Sequence, residues 1–199
     1  MTNDLVSQEQ GDYLLKVARR TIEEALGLPG TGETDVSRAA EMPHPDWLEA
    51  PAAAFVTLHT RSGGLRGCIG SLIARRSLIE DVRSNALAAA FEDPRFPRLS
   101  ADELPGIVIE VSVLTAPAPL SYADAEELVH KLTPNVDGVV LEQGRHRATF
   151  LPQVWDQLPM PEEFLSHLCY KAGLSATAWR DRDLSISTYQ VQEFEESTS

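Results

Sequence analysis

Leu15, Ala18, Ile22, Ala25 and Leu26 recur at helical spacing behind Ser7 and Gln10, which match a capping box, and the run ends at Gly27. This pattern predicts a first helix of about five turns. From Ala52 to Thr60 the periodicity changes to a strand-like alternation. Arg61-Ser62-Gly63-Gly64 then offers a turn, and Leu65 to Ile73 follows as the second arm of a hairpin. Ser77 and Glu80 repeat the capping-box spacing, and Ile79, Val82, Ala86, Ala89 and Ala90 lay one apolar stripe on a second helix that stops at Asp93-Pro94. The strongest strand is Ile107 to Leu114, with Ile107, Ile109, Val111 and Val113 on one face and Glu110 and Ser112 on the other. Pro117 and Pro119 close it.

The second half predicts a helix near Ala123 to Leu132, a turn at Asp137-Gly138 and two short strands around Gln143-Gly144. Pro161 to Ala172 reads as a helix whose apolar side carries Phe164, Leu165, Leu168, Cys169 and Ala172, with Gly173 at its C-cap. Leu184 to Val191 is expected to be the last strand. Residues 28–51, with Met42-Pro43-His44-Pro45, read as a long Pro-rich loop holding a short helical piece near Trp47. Residues 1–9 and the acidic FEESTS end are expected to be flexible. Helices and strands mixed without a strict βαβ rhythm predict an α+β fold in a single domain over residues 10–195.

Composition narrows the function. The 199 residues carry 17 basic and 30 acidic side chains, a net charge of -13 that opposes nucleic acid or an anionic membrane as the main partner. No charged leader and no long apolar run is visible, so a cytoplasmic location is expected and no membrane span. Cys68 and Cys169 lie far apart without CxxC pairing, which fits reduced thiols. The five histidines show no ligand spacing, and no metal or cofactor motif is evident.

One stretch stands out. Gly63 to Ser71, GGLRGCIGS, packs four glycines around one arginine and one cysteine. If Leu65 to Gly70 is extended, Arg66, Cys68 and Gly70 share a face, and a guanidinium beside a thiol favours the thiolate. The glycines would leave backbone N–H groups open to a ligand or an oxyanion. The competing structural reading makes Cys68 a small buried hydrophobe and the glycines packing positions. Arg61, Arg66, Arg75 and Arg76 also form a basic island with no acidic residue between Arg61 and Ile79, which suggests an anionic ligand or an acidic partner; the alternative is that they solvate strand and turn edges. A Cys68–His59 pair across the hairpin is a further candidate, and Glu110, on the polar side of its strand, is either a buried base or a solvent-facing side chain.

LRGCIG at Leu65 to Gly70 resembles the signature hexapeptide of the AMMECR domain family, whose bacterial and archaeal members are called AmmeMemoRadiSam system protein A. The resemblance continues through Phe91-Glu92-Asp93-Pro94-Arg95-Phe96, Ile109 to Leu114, Asp137-Gly138-Val139-Val140, Phe150 to Trp155 and Lys171-Ala172-Gly173-Leu174, about Leu14 to Phe194 in all. Asn135-Val136 stands where a glycine-containing lead-in is expected. The resemblance implies an α+β fold in which two related repeats contribute to one barrel-like sheet with flanking helices, in a larger and a smaller lobe. It also implies a pathway shared with a Memo-like protein and a radical SAM protein, and it puts forward Arg66, Gly67, Cys68 and Gly70 as site residues, followed by Asp93, Glu110 and Lys171. Two functions result. One is a small-molecule site, for a small anionic ligand, centred on Cys68 as nucleophile or covalent carrier with Arg66 beside it. The other is a noncatalytic adaptor whose glycine-rich groove holds a partner's segment.

Overall fold

A computed structural model describes residues 6–29, 46–181 and 184–197. Helix α1 (Gln8–Ala25) begins at Ser7, whose side chain accepts from the Gln10 amide while the Gln10 side chain accepts from the Ser7 amide. Its buried stripe includes Leu14, Leu15, Ala18 and Ile22. Helix α2 (Asp46–Glu49) is the short piece expected near Trp47; the Met42-Pro43-His44-Pro45 part of the Pro-rich loop lies outside the described residues. The hairpin forms as β1 (Ala53–Thr60) and β2 (Leu65–Gly70), and α3 (Leu78–Phe91) follows. Next come β3 (Ile107–Leu114), β4 (Ala118–Pro119), α4 (Ala125–Lys131), β5 (Gly138–Gln143), β6 (His146–Phe150), α5 (Pro161–Lys171), β7 (Ser185–Tyr189) and β8 (Val191–Glu195).

The chain divides into two compact units, Met1–Leu114 with Gln192–Ser199, and Thr115–Val191. In the first, a four-stranded sheet in the order β2-β1-β3-β8 turns Val56, Leu58, Ile109 and Val111 into a core shared with α1 and α3. In the second, a sheet ordered β4-β7-β5-β6 packs Val139, Leu141 and Ile186 with α5. There Trp155 stacks on Phe164 at 3.7 Å between ring centroids and donates its indole N–H to the Asp137 carbonyl at 2.7 Å. Asn135, where a glycine was expected, takes φ 63°, a left-handed conformation that asparagine tolerates better than most residues.

The fold is α+β as expected, but the single barrel-like sheet is not: two separate open sheets take its place. The single last strand, Leu184–Val191, is also corrected. It is split into β7 and β8, which belong to different sheets. Two residues of the acidic end are anchored. Phe194 is buried in the first core, and the Glu196 carboxylate takes the Arg19 guanidinium and the Ile109 amide. At the other end Val6 is buried and α1 starts at Gln8, inside the segment expected to be flexible. Among the described residues no helix is long and apolar enough to cross a membrane.

Candidate functional site

Among the described residues strand β2 is an edge strand, with β1 on one side only. Its register with β1 sets Cys68 opposite Thr57, and the β1–β3 register sets Thr57 opposite Glu110. Because Val56, Leu58, Ile109 and Val111 fill the core on one face, the two-residue period sends Cys68, Thr57 and Glu110 to the other. The result is one polar row across three strands. Thr57 Oγ1 donates to Cys68 Sγ at 3.4 Å. Glu110 Oε1 accepts from Ser112 Oγ at 3.1 Å, and its Oε2 lies 3.7 Å from His59 Nε2. Burial raises the Glu110 pKa above the ordinary carboxylate value, and Glu193 and Glu195 add to the rise; the Ser112 hydrogen bond and the His59 ring oppose it. His59 therefore serves Glu110. It sits opposite Leu65 in the hairpin, while the hydrogen bond to the Cys68 sulfur comes from Thr57.

The backbone of Cys68 points outward from the sheet edge and meets side chains. Its amide donates to Asp93 Oδ2 at 2.9 Å, and its carbonyl accepts from Arg95 Nη2 at 3.1 Å. The Asp93 carboxylate in turn takes Arg95 Nε at 2.9 Å, Arg95 Nη2 at 2.7 Å and the Arg95 amide at 3.0 Å. These charge-assisted bonds, the Arg95 side chain first, hold the Asp93 carboxyl well below the usual carboxylate range against its burial.

Arg66 does not stand beside the thiol. Its side chain forms a forked pair with Glu103, Nε to Oε1 at 3.0 Å and Nη2 to Oε2 at 3.3 Å, and lies over Phe96 at 5.9 Å. Glu103 is pulled down to about 2, chiefly by that pair. Arg66 is thus buried and neutralised, and the thiolate partner and anion receptor expected from sequence are absent from this position. The basic island shrinks further because Arg76 is tied to the buried Asp81 at 2.8 Å. Arg61 is exposed in the β1–β2 turn, where its amide donates to the Gly106 carbonyl at 3.1 Å.

The glycines serve packing. A Cβ on Gly67 would lie 2.2 Å from the Ala89 carbonyl oxygen, and one on Gly70 would lie 2.1 Å from the Phe55 ring. Neither position admits a side chain, and the Cys68 amide is occupied by Asp93, so it is not open to an oxyanion. Lys171 belongs to the second unit, where its ammonium donates to the Thr149 carbonyl at 3.0 Å and lies over Phe150 at 4.9 Å. The structure therefore brings Cys68, Glu110 and Asp93 into one neighbourhood and gives Arg66, Gly67 and Gly70 structural tasks. Sequence reasoning missed Thr57 and Arg95. Thr57 is an ordinary β-former in an alternating run, and only the cross-strand register reveals it. The Asp93-Pro94-Arg95-Phe96 stretch carried the one available signal for Arg95, an acid and a base two residues apart around a proline. Cys169 is fully buried on α5, and burial pushes its thiol up.

Among proteins of known sequence or structure, a protein of Thermofilum pendens is 40% identical over 97% of this chain and 92% of its own length. One from Thermococcus onnurineus is 38% identical over 96% of this chain and 92% of its own. The crystal structure of uncharacterised protein PH0010 from Pyrococcus horikoshii matches with a TM-score of 0.75 at 33% identity, covering 97% of this chain and 94% of that one. The AMMECR1 family model matches residues 15–194, which include every strand of the first sheet up to Phe194 as well as the whole second sheet. With that span and relatives well above 30% identity along nearly their full lengths, the chain belongs to the AMMECR1 family.

Proposed function

We propose that this is a cytoplasmic small-molecule-binding protein whose site is the outer face of the first sheet, with Cys68 as its reacting thiol. It works in one pathway with a Memo-like protein and a radical SAM protein, as the resemblance to AmmeMemoRadiSam system protein A implies. The observation that carries the reading is the row Cys68–Thr57–Glu110 with His59 beside the carboxylate. It puts a half-buried thiol in one row with a carboxylate whose pKa is raised by burial, a combination found where side chains take part in proton transfer. In the simplest chemistry the sulfur adds to a carbonyl carbon of the ligand. A C–S bond forms, the C=O π pair moves to oxygen, and the thiol proton passes to that oxygen, with Glu110 as the acid–base group on the same face of the sheet. With Arg66 engaged by Glu103 and two carboxylates, Glu193 and Glu195, acting on Glu110, the ligand is neutral or cationic, in place of the anionic one expected from sequence. The adaptor reading has no support from the glycines, because the protein's own Ala89 and Phe55 fill the space they leave.

The test is the rate of iodoacetamide labelling at each thiol of the native protein, read by mass spectrometry. Cys68 should label at least tenfold faster than Cys169, and Glu110→Gln should slow Cys68 alone. Equal rates at the two cysteines, or a Cys68→Ser protein that folds and leaves pathway flux unchanged in the cell, would overturn the thiol chemistry.

A further inference from the structure

A β-sheet edge exposes a row of unpaired N–H and C=O groups, and an open edge pairs readily with another strand. The outward-facing groups on β2 follow from the ladder. The Ser71 amide donates to the Ala54 carbonyl at 2.9 Å, so the alternation of an antiparallel pair makes 55/70 and 57/68 the pairs without mutual hydrogen bonds. Cys68 therefore aims both backbone groups away from the sheet. Asp93 and Arg95 meet them as a neighbouring strand would, one acceptor on the N–H and one donor on the C=O, and the two side chains neutralise each other.

The same segment covers more of the edge. Glu103 holds the Arg66 side chain, and its Oε2 also accepts from the Ser100 amide at 2.9 Å, which folds the segment back on itself. Phe96 stands within 5.9 Å of the Arg66 guanidinium and 5.6 Å of that of Arg95. Pro94 and Pro97 have no amide hydrogen, so the segment covers β2 without offering a pairing strand of its own.

We infer that Asp93–Glu103 is a shield for the β2 edge, with the Asp93–Arg95 pair substituting for a strand at Cys68, and that it keeps β2 from pairing antiparallel with β2 of a second copy of this chain. In such a pair, centred on Cys68, the two Cys68 residues would face each other as a hydrogen-bonded pair about 5.5 Å apart at Cα. Their thiols would be within reach of a short crosslinker.

The experiment compares the wild type with Arg95→Ala and with Asp93→Ser/Arg95→Ala by sedimentation velocity across a hundredfold concentration range. A short bis-maleimide is added in parallel. The wild type stays monomeric through β2. Both variants dimerise with concentration, the double variant at least tenfold more tightly, and the dimer crosslinks through Cys68 and not in a Cys68→Ser background. Arg95 is half exposed, so its single variant keeps the core even if the double variant unfolds. Folded Arg95→Ala protein that stays monomeric across the range, or a dimer that does not crosslink through Cys68, overturns the proposal.

Discussion

Gly67 faces the carbonyl oxygen of Ala89 so closely that a Cβ on it would stand 2.2 Å away. The obstacle is backbone in the last turn of α3, which cannot rotate aside as a side chain would. Gly67→Ala must push β2 from α3 and loosen the seam that holds Ala86, Ala89 and Ala90 in the core. A loss of about 1–3 kcal/mol is expected, as for overpacking elsewhere, read as a lower urea midpoint at unchanged slope. A midpoint equal to that of the wild type would mean that the strand and helix are not in close contact.

Phe194 answers a second glycine. Its ring lies where a Cβ on Gly11 would be, 2.0 Å from the Cδ1 atom, and it is only 6% exposed. The C-terminal strand is thus part of the first core through an aromatic side chain seated on α1. Phe194→Ala should cost about 3–5 kcal/mol, the usual range for emptying a buried aromatic position. Truncation after Gln190 should cost more, because β8 and the Arg19–Glu196 pair go with it. A thermal melt of either variant that overlays the wild type would contradict this packing.

The elements that bury one face could be read from the sequence because burial imposes a period. This holds for α1, the β1–β2 hairpin, β3 and α5, whose apolar residues recur at helical or alternate spacing. The acidic end failed for a physical reason. Phe194, the single apolar residue in FEESTS, carries the packing while Glu196 is held by Arg19, and one apolar residue makes no period. The site was half legible. Cys68 and Glu110 stood out by type and face, but what each touches depends on the register of β1 with β2 and with β3 and on the distant Asp93, which no local pattern encodes. Arg66 was misassigned for the same reason, since nothing near it in sequence announces Glu103.

The Arg66–Glu103 pair has a signature in acid. Glu103 titrates near 4.5 when unpaired and at about 2 in the folded protein. A depressed folded value means that the unfolded state binds the extra proton, so this stabilisation is complete above about pH 4.5 and is lost as pH falls toward 2. Glu103 is 43% exposed, and solvent screening keeps the pair to about 1 kcal/mol or less at neutral pH. Glu103→Gln should therefore lower stability slightly at pH 7 and converge on the wild type near pH 2 in urea titrations. A gap between the two that persists unchanged to pH 2 would show that the pair contributes through packing and not through charge.

The two serines that matched a capping box differ in what they do. Ser7 closes both hydrogen bonds of the box, so Ser7→Ala should cost about 1 kcal/mol. Ser77 occupies the same place before α3 with an extended backbone, yet its hydroxyl makes no cap bond and is buried without a partner. The local chain explains the difference. Ser77 is bridged to Pro51, and the Leu78 amide donates to the Ala50 carbonyl at 3.0 Å, so the start of α3 is held by the backbone of the segment before β1. An unpaired buried hydroxyl is a desolvation cost with no return. Ser77→Ala should leave stability unchanged or raise it by about 1 kcal/mol, opposite to Ser7→Ala. A loss at Ser77 equal to that at Ser7, in paired denaturant titrations, would mean that the hydroxyl does cap α3 in solution.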